Sequence, residues 1–196
     1  MTADHVEDRG SRYQSAADVT ALVAAAGDGR YWVAGIQAGT GRDRYAGWSL
    51  VVVFDAPTGP VRRLVVFDGL AVVDPAHPAR FEVGGFRAPT AGPSDATLSI
   101  LAYEGDPTLI GDNVSVDGQR LTDSRNPDDN LLNSTLSHLG ASPAGRLPDH
   151  SNTFGVDIDA FGIGSLLTPG ARTATLDLAS AGDTYLPGVL AVSVAR

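Results

Sequence analysis

The feature that most limits what this chain can fold into is the stretch from Ala46 to Val73, AGWSLVVVFDAPTGPVRRLVVFDGLAVV. It holds two apolar runs, Trp48–Phe54 and Val61–Phe67, each seven residues long and rich in Val, Leu and aromatics. Those residue types fit a pleated, half-buried surface, and seven residues is strand length rather than helix length. The connector Asp55-Ala56-Pro57-Thr58-Gly59-Pro60 carries two prolines and a glycine, which end strands and build turns. The pattern predicts a β-hairpin deep in a sheet, because near-continuous apolar runs imply cover on both faces. Asp68-Gly69 then offers a further turn before Leu70–Val73.

The rest of the chain repeats the same grammar. Residues 1–15 show no periodicity and read as a mobile lead-in to one domain over 16–196. Asp18–Gly27 predicts a short helix, capped by Asp18 and closed by Gly27, with a strand over Val19–Val23 as the alternative. Tyr31–Ile36 reads as a strand, followed by a Gly39–Arg44 loop. Strands are also expected at Arg80–Phe86, Ala96–Tyr103, Val114–Val116, Phe154–Phe161, Thr173–Leu178 and Thr184–Val194, the last interrupted at Pro187-Gly188. Leu131–Leu139 fits a strand or the first turns of a helix, and the strand is preferred. About ten strands with turn signals between them predict an all-β fold, a single antiparallel β-sandwich of jelly-roll type with at most one short helix near the N-terminus. No internal repeat suggests a solenoid or propeller.

Composition narrows the chemistry. All 14 basic residues are arginine, and of the 23 acids only Glu7, Glu82 and Glu104 are glutamate, leaving 20 aspartates. Aspartate favours turns and caps, so the bias suits a loop-rich β protein. A net charge of −9 opposes binding to nucleic acid or to anionic membranes. Without lysine or cysteine there is no Schiff base, P-loop lysine, Lys–Asn crosslink, disulfide, thiolate nucleophile or Cys-ligated zinc. No run approaches the ~20 apolar residues of a membrane-spanning helix, so no direct insertion is expected. Met1–Gly10 has no apolar core of a signal peptide; if the domain is secreted, its targeting segment lies outside this chain.

Several phrases in order, DVTALV, GDGRYWVAGIQAGTGRDRYAGWSLVVVF, RRLVVFDGL, YEGDPTLIGDNVSVDG, NPDDNLLNSTLS and SAGDTYLPGVLAVSV, cover roughly residues 17–195. In this arrangement the chain resembles an uncharacterised β-sandwich domain of large actinobacterial cell-surface, adhesin-like proteins. The resemblance implies an extracellular or cell-surface module whose partners are other domains of a surface protein or a surface glycan or protein ligand. It brings no catalytic residues. The sequence departs from such proteins in lacking repeated stalk domains and a wall anchor.

Residue patterns for catalysis are sparse. No G-x-S-x-G elbow exists, and Ser137-His138, adjacent on a strand, would face opposite ways. His5, His77, His138 and His150 are isolated and read as solvated loop residues. Glu82 with Glu104, or Asp157 with Asp159 on one strand face, would suit a two-carboxylate glycosidase, but with so many aspartates the reading preferred is acids on a solvated sheet face. Gly162-Ile163-Gly164-Ser165 reads as a turn rather than a phosphate cradle. The Asn113-Val114-Ser115 and Asn133-Ser134-Thr135 sequons read as coincidental. Tyr31, Trp32, Tyr45 and Trp48 would make a sugar platform if exposed, though the apolar setting of both tryptophans favours core packing. The densest cluster of hard oxygens is Asp112, Asn113, Asp117, Asp123, Asn126, Asp128, Asp129 and Asn130. With Glu104 and Asp106 it makes calcium the one cofactor the sequence suggests, with Glu104, Asp106, Asp112, Asp117, Asp123, Asp128 and Asp129 as ligands. The expectation is therefore a non-enzymatic, cell-surface structural or adhesive module, with a carbohydrate-binding module and then a secreted hydrolase as the alternatives.

Overall fold

The computed structural model of the protein describes residues 2–41 and 44–196, so part of the Gly39–Arg44 loop lies outside the described residues. The chain divides into two compact units, Met1–His5 with Ala16–Gly59, and Val6–Ser15 with Pro60–Arg196.

Among the described residues, the first unit holds one regular element beyond its short N-terminal part, helix α1 (Thr20–Ala26). Its ends depart in part from the expected chemistry: Val19 holds the N-cap position without a side-chain cap bond, and Gly27 has ψ −149°, outside the left-handed helical region. The Asp18 carboxylate accepts the Thr20 N–H at 2.8 Å, and Gly27, at φ 65°, donates to the Val23 carbonyl. Hydrogen bonds from the Thr20 side chain and then the Thr20 N–H hold the Asp18 carboxyl below the usual carboxylate range. Tyr31–Ile36 and Trp48–Phe54, both expected as strands, form none. Both tryptophans are exposed rather than packed in a core, and Val51, Val52, Val53 and Phe54 are exposed with them. Apolar, β-branched composition gives a run the capacity to be a strand, but a strand exists only when a neighbour takes up its backbone hydrogen bonds. Of the expected hairpin, the turn is present, with the Gly59 N–H donating to the Ala56 carbonyl at 3.0 Å, and the second arm forms a strand over Arg62–Asp68; the first arm does not.

Within the N-terminal stretch, β1 (His5–Asp8) and β2 (Tyr13–Ala16) pair as a two-stranded sheet that the sequence pattern does not suggest. The Asp8 carboxylate receives the Gly10 N–H at 2.8 Å, and Gly10 takes φ 76° to complete the reversal.

The second unit is the β-sandwich. Strands β3 (Arg62–Asp68), β4 (Ala79–Gly84), β5 (Ala96–Tyr103), β6 (Asn113–Val116), β7 (Gln119–Arg120), β8 (Leu136–His138), β9 (Val156–Gly162), β10 (Thr173–Ala179) and β11 (Leu186–Ala195) make two sheets. One has the order β3-β11-β5-β9-β8 and the other β4-β10-β6-β7. Pairing is antiparallel except for β8 with β9, which is parallel. Alternation sets the inner faces. Leu98, Ile100 and Ala102 of β5 and Leu190, Val192 and Val194 of β11 meet Val83 of β4, Val114 and Val116 of β6, and Ala174, Leu176 and Leu178 of β10 in one core.

Local chemistry explains the joints. Asp117 and Gly118 take φ 48° and 79°, the two positive values that a two-residue hairpin between β6 and β7 requires. Pro187-Gly188 does not interrupt β11; the register merely shifts between Pro187 and Val189 as a bulge. Tyr185, fully buried, donates its hydroxyl to the Asn113 carbonyl at 3.2 Å, and its backbone exchanges two hydrogen bonds with Val73.

Strand β9 departs from the expected orientation. The sequence suggests Phe154, Val156 and Ile158 inward and the aspartates outward. In the structure Asp157 and Asp159 point into the protein, with relative exposures of 0% and 1%, while Ile158 faces out. The parity is set by Phe161, on the same face as both aspartates, and by the buried Ile163 beyond the strand. A slip of one residue would rescue the aspartates but expel Phe161 from the core.

Candidate functional site

The inward turn of β9 creates the most unusual chemistry in the molecule. Asp157 and Asp159 meet the loop that runs from Leu121 to Thr135, and that loop is built to receive them. The Thr135 N–H donates to Asp157 Oδ1 at 3.1 Å. Asn126, fully buried, donates through Nδ2 to Ser137 Oγ at 2.9 Å and to Asp159 Oδ1 at 3.4 Å. Asp112, ahead of β6, accepts the Leu132 N–H on Oδ1 at 2.8 Å. Asp183, ahead of β11, accepts the Thr184 N–H at 2.7 Å.

Asp157, Asp159 and Asp183 are thus anchored through one oxygen, and in each the second oxygen is buried without a partner. A buried ionised carboxylate with a free oxygen is costly, and the group responds by keeping its proton. Burial pushes Asp157 up to about 8, against the Thr135 N–H and aided by the nearby Asp159 and Asp112 charges. Asp159 rises to about 7, again from burial, in spite of the Ser137 and Asn126 hydrogen bonds. Asp112 rises to about 6 by burial, and Asp183 is raised for the same reason.

The backbone closes over these groups. A Cβ on Gly105 would stand 1.8 Å from Asp157 Oδ2 and 2.8 Å from the Leu132 carbonyl oxygen, so only glycine fits there. Ser134, at φ 59°, donates its hydroxyl to the Gly105 carbonyl and accepts the Gly155 N–H, both at 2.7 Å. The arrangement can hold protons on buried carboxyls and rigidify a loop, but it offers a substrate no route to them.

The seven acids expected to bind calcium have separate duties. Glu104, at φ 69°, lies 3.9 Å from Arg12; Asp106 accepts the Thr108 N–H and hydroxyl; Asp117 accepts the Thr175 N–H. Asp123 folds over the N–H groups of Arg125 and Asn126, leaving its Oδ2 buried and unpaired. Asp128 and Asp129 are exposed, and the Asp129 carbonyl accepts the Gly111 N–H. Among the described residues no group of three or more His, Asp or Glu side chains is gathered as a metal site. The Asn130 amide, turned to donate, fills the space between Asp112 Oδ2 and the carbonyls of Asp106 and Leu109.

The remaining sequence candidates separate as well. Glu82 lies exposed on β4, opposite Thr175, whereas Glu104 follows β5 in the other sheet. Asp157 and Asp159 share a face as expected, but that face is buried rather than solvated. Ser137 is buried and His138 exposed, as their adjacency on a strand requires. His77 pairs with Asp74, and that hydrogen bond lowers the Asp74 carboxyl. Both sequon asparagines are buried, Asn133 donating to the Arg125 carbonyl at 2.9 Å. Gly164 is needed for close packing, since a Cβ there would strike the Ser94 carbonyl. The residues that sequence reasoning passed over are Gly105 and Asp183. Nothing in their neighbours distinguishes them, whereas the parity of Phe161 with the two aspartates is a legible signal.

Two surface cavities are open to solvent. One, of about 360 Å³, is bounded by Arg120, Asp123, Leu139 and Phe161 among others. The second, about 580 Å³, runs along Arg146, Leu147, Pro148, His150, Asn152 and Phe154. There His150 and Phe154 meet edge to face, 6.2 Å between ring centres, with Phe154 and Leu147 exposed. Neither Glu82 nor Glu104 lines either cavity.

No family model matches the chain, and no curated protein matches it. Solved structures to which it is similar include BuGH86wt in complex with neoagarooctaose, at 14% identity and a TM-score of 0.38. A variant of that protein with the same ligand matches at the same identity and score. The match covers 68% of this chain and 19% of that chain, or 18% for the variant, so the chain spans less than a fifth of those proteins. A likeness of that degree transfers no activity.

Proposed function

We propose that this chain is a non-enzymatic β-sandwich module that acts at the cell surface or outside the cell as a structural or adhesive unit. The observation that carries the reading is where the acids are spent. Asp157 and Asp159 are sealed beneath Gly105 and the 121–135 loop, Asp106 and Asp123 cap turns, Asp117 holds the Thr175 N–H of β10, and Glu82 lies on β4 whereas Glu104 follows β5 of the other sheet. Acid–base hydrolysis needs two carboxyls facing one accessible bond, and binding needs only exposed surface on a rigid frame. A screen of chromogenic glycosides and esters on the whole chain tests this. No turnover is expected, and a turnover abolished by Glu82→Ala or Glu104→Ala would overturn the proposal.

A second reading, glycan binding, has its own support in the exposed rings of Trp32, Tyr45 and Phe154, since sugars stack on accessible aromatic faces. The Phe154 groove adds Arg146, His150 and Asn152 as polar neighbours. Binding on a glycan array that Phe154→Ala removes would favour this reading over a purely structural role.

A further inference from the structure

Strand β3 ends its sheet. It pairs with β11 in an unbroken register over seven residues, and among the described residues no strand pairs with its other edge. Its inner side chains Val65 and Phe67 are only partly buried against the core, and its outer Leu64 and Val66 are each 43% exposed. Strand β4 likewise ends the other sheet, and Phe67 meets Phe81 of β4 with ring centres 6.0 Å apart. The two edge strands therefore share one flank of the sandwich, closed by half-buried rings. Edge strands are usually blunted by charges, a proline or a bulge; β3 carries Arg62, Arg63 and Asp68 at its ends, but its middle, Leu64–Phe67, has no charge, proline or bulge. The same chain carries an extended apolar run without a partner. Trp48–Phe54 has no charge, proline or glycine, matches β3 in length, and forms no strand in this structure.

We propose that the open edge of β3 docks an extended apolar strand, and that the occupant is Trp48–Phe54 of a second copy, two copies exchanging strands reciprocally. Main-chain hydrogen bonds to the free edge supply affinity, and alternate side chains cover Val65 and Phe67 on one face and Leu64 and Val66 on the other. Area supports a dimer. Trp48, Val51, Val52, Val53 and Phe54 are 48%, 50%, 48%, 61% and 76% exposed. Taking roughly 200 Å² for a fully exposed aromatic and somewhat less for valine, they present on the order of 500 Å². With a matching area on the acceptor, one exchange buries roughly 1,000 Å² and a reciprocal pair roughly 2,000 Å², within the range of stable interfaces. Reciprocal exchange also closes the assembly, where one-way donation would propagate into fibres. This association is independent of the binding role proposed above: a glycan array can fail while sedimentation succeeds, and the reverse.

The test uses the whole chain. Analytical ultracentrifugation should show a concentration-dependent dimer with a Kd on the order of micromolar. Val52→Pro, which removes a ladder N–H from an exposed position, should sediment as a monomer with unchanged far-UV circular dichroism. Because the protein has no cysteine, two singly substituted chains can be mixed under oxidation. Val51→Cys or Val52→Cys on one chain with Leu64→Cys on the other should yield a disulfide-linked heterodimer. A wild-type monomer throughout the titration would overturn the proposal, as would a dimer that Val52→Pro leaves intact. So would an intrachain disulfide in a monomeric Val51→Cys/Leu64→Cys double variant, which would assign the edge to the chain's own segment.

Discussion

Replacing Asp157 with asparagine tests the buried acid network most directly. Asparagine keeps the size and the acceptor for the Thr135 N–H, and its Nδ2 supplies a hydrogen beside the Leu132 carbonyl, which lies with Oδ2 against Gly105. In the wild type the Asp157 carboxyl sits near 8 folded and near 3.8 in the open chain. A folded value above the unfolded one means that the native state holds the proton more tightly. Stability from this group is therefore full below about pH 4 and is lost as pH rises towards 8. Across that window the loss has a slope of about 1.4 kcal/mol per pH unit and totals about 6 kcal/mol, a large part of a domain's whole stability. Asp159 and Asp112, at about 7 and 6, add losses over pH 4–7 and 4–6, and because the three carboxyls interact their losses do not sum independently. Urea unfolding followed by circular dichroism at pH 5, 7 and 8.5 gives the slope. The expected result for Asp157→Asn is a pH dependence shallower by about one proton, with a gain of several kcal/mol at pH 8.5. A variant with the wild-type slope, or one less stable at pH 8.5, would show that Asp157 is not the proton-holding group.

Other perturbations check other parts of the argument. Gly105→Ala should destabilise by about 3 kcal/mol or more at pH 7, because its Cβ has no space between Asp157 and Leu132, and thermal melting would read the loss. Asn126→Ala should cost about 1–3 kcal/mol in urea titrations by leaving Ser137 and Asp159 without a buried donor. Val52→Asp, at a half-exposed site outside the sandwich core, should leave the isolated fold within about 0.5 kcal/mol of wild type by urea titration. The melting temperature in about 5 mM calcium against EDTA tests the calcium expectation: with Asp106 and Asp123 already holding turn amides, no rise is expected, and a rise would place a cation among the acids of 104–130.

Most of the sandwich was legible in the sequence because antiparallel strands with one face in water show their burial as alternation. Ala96–Tyr103 and Thr173–Ala179 bury the residues their pattern designates, and Asp117-Gly118 turns the chain as its residue types require. The acid-rich, lysine-free composition also spoke correctly for turns, since Asp74, Asp106, Asp117 and Asp123 all hold backbone N–H groups. What a local pattern cannot contain is the identity of a strand's neighbour. Trp48–Phe54 has a strand's composition, yet no ladder partner lies beside it, while the unpromising His5–Asp8 and Tyr13–Ala16 pair with each other. The same limit governs the acids. Whether Asp157 and Asp159 face water or protein depends on the core's demand for Phe161, and on amides delivered by a loop more than twenty residues away along the chain. Alternation specifies that one face of β9 is buried; only packing against the rest of the sandwich decides which.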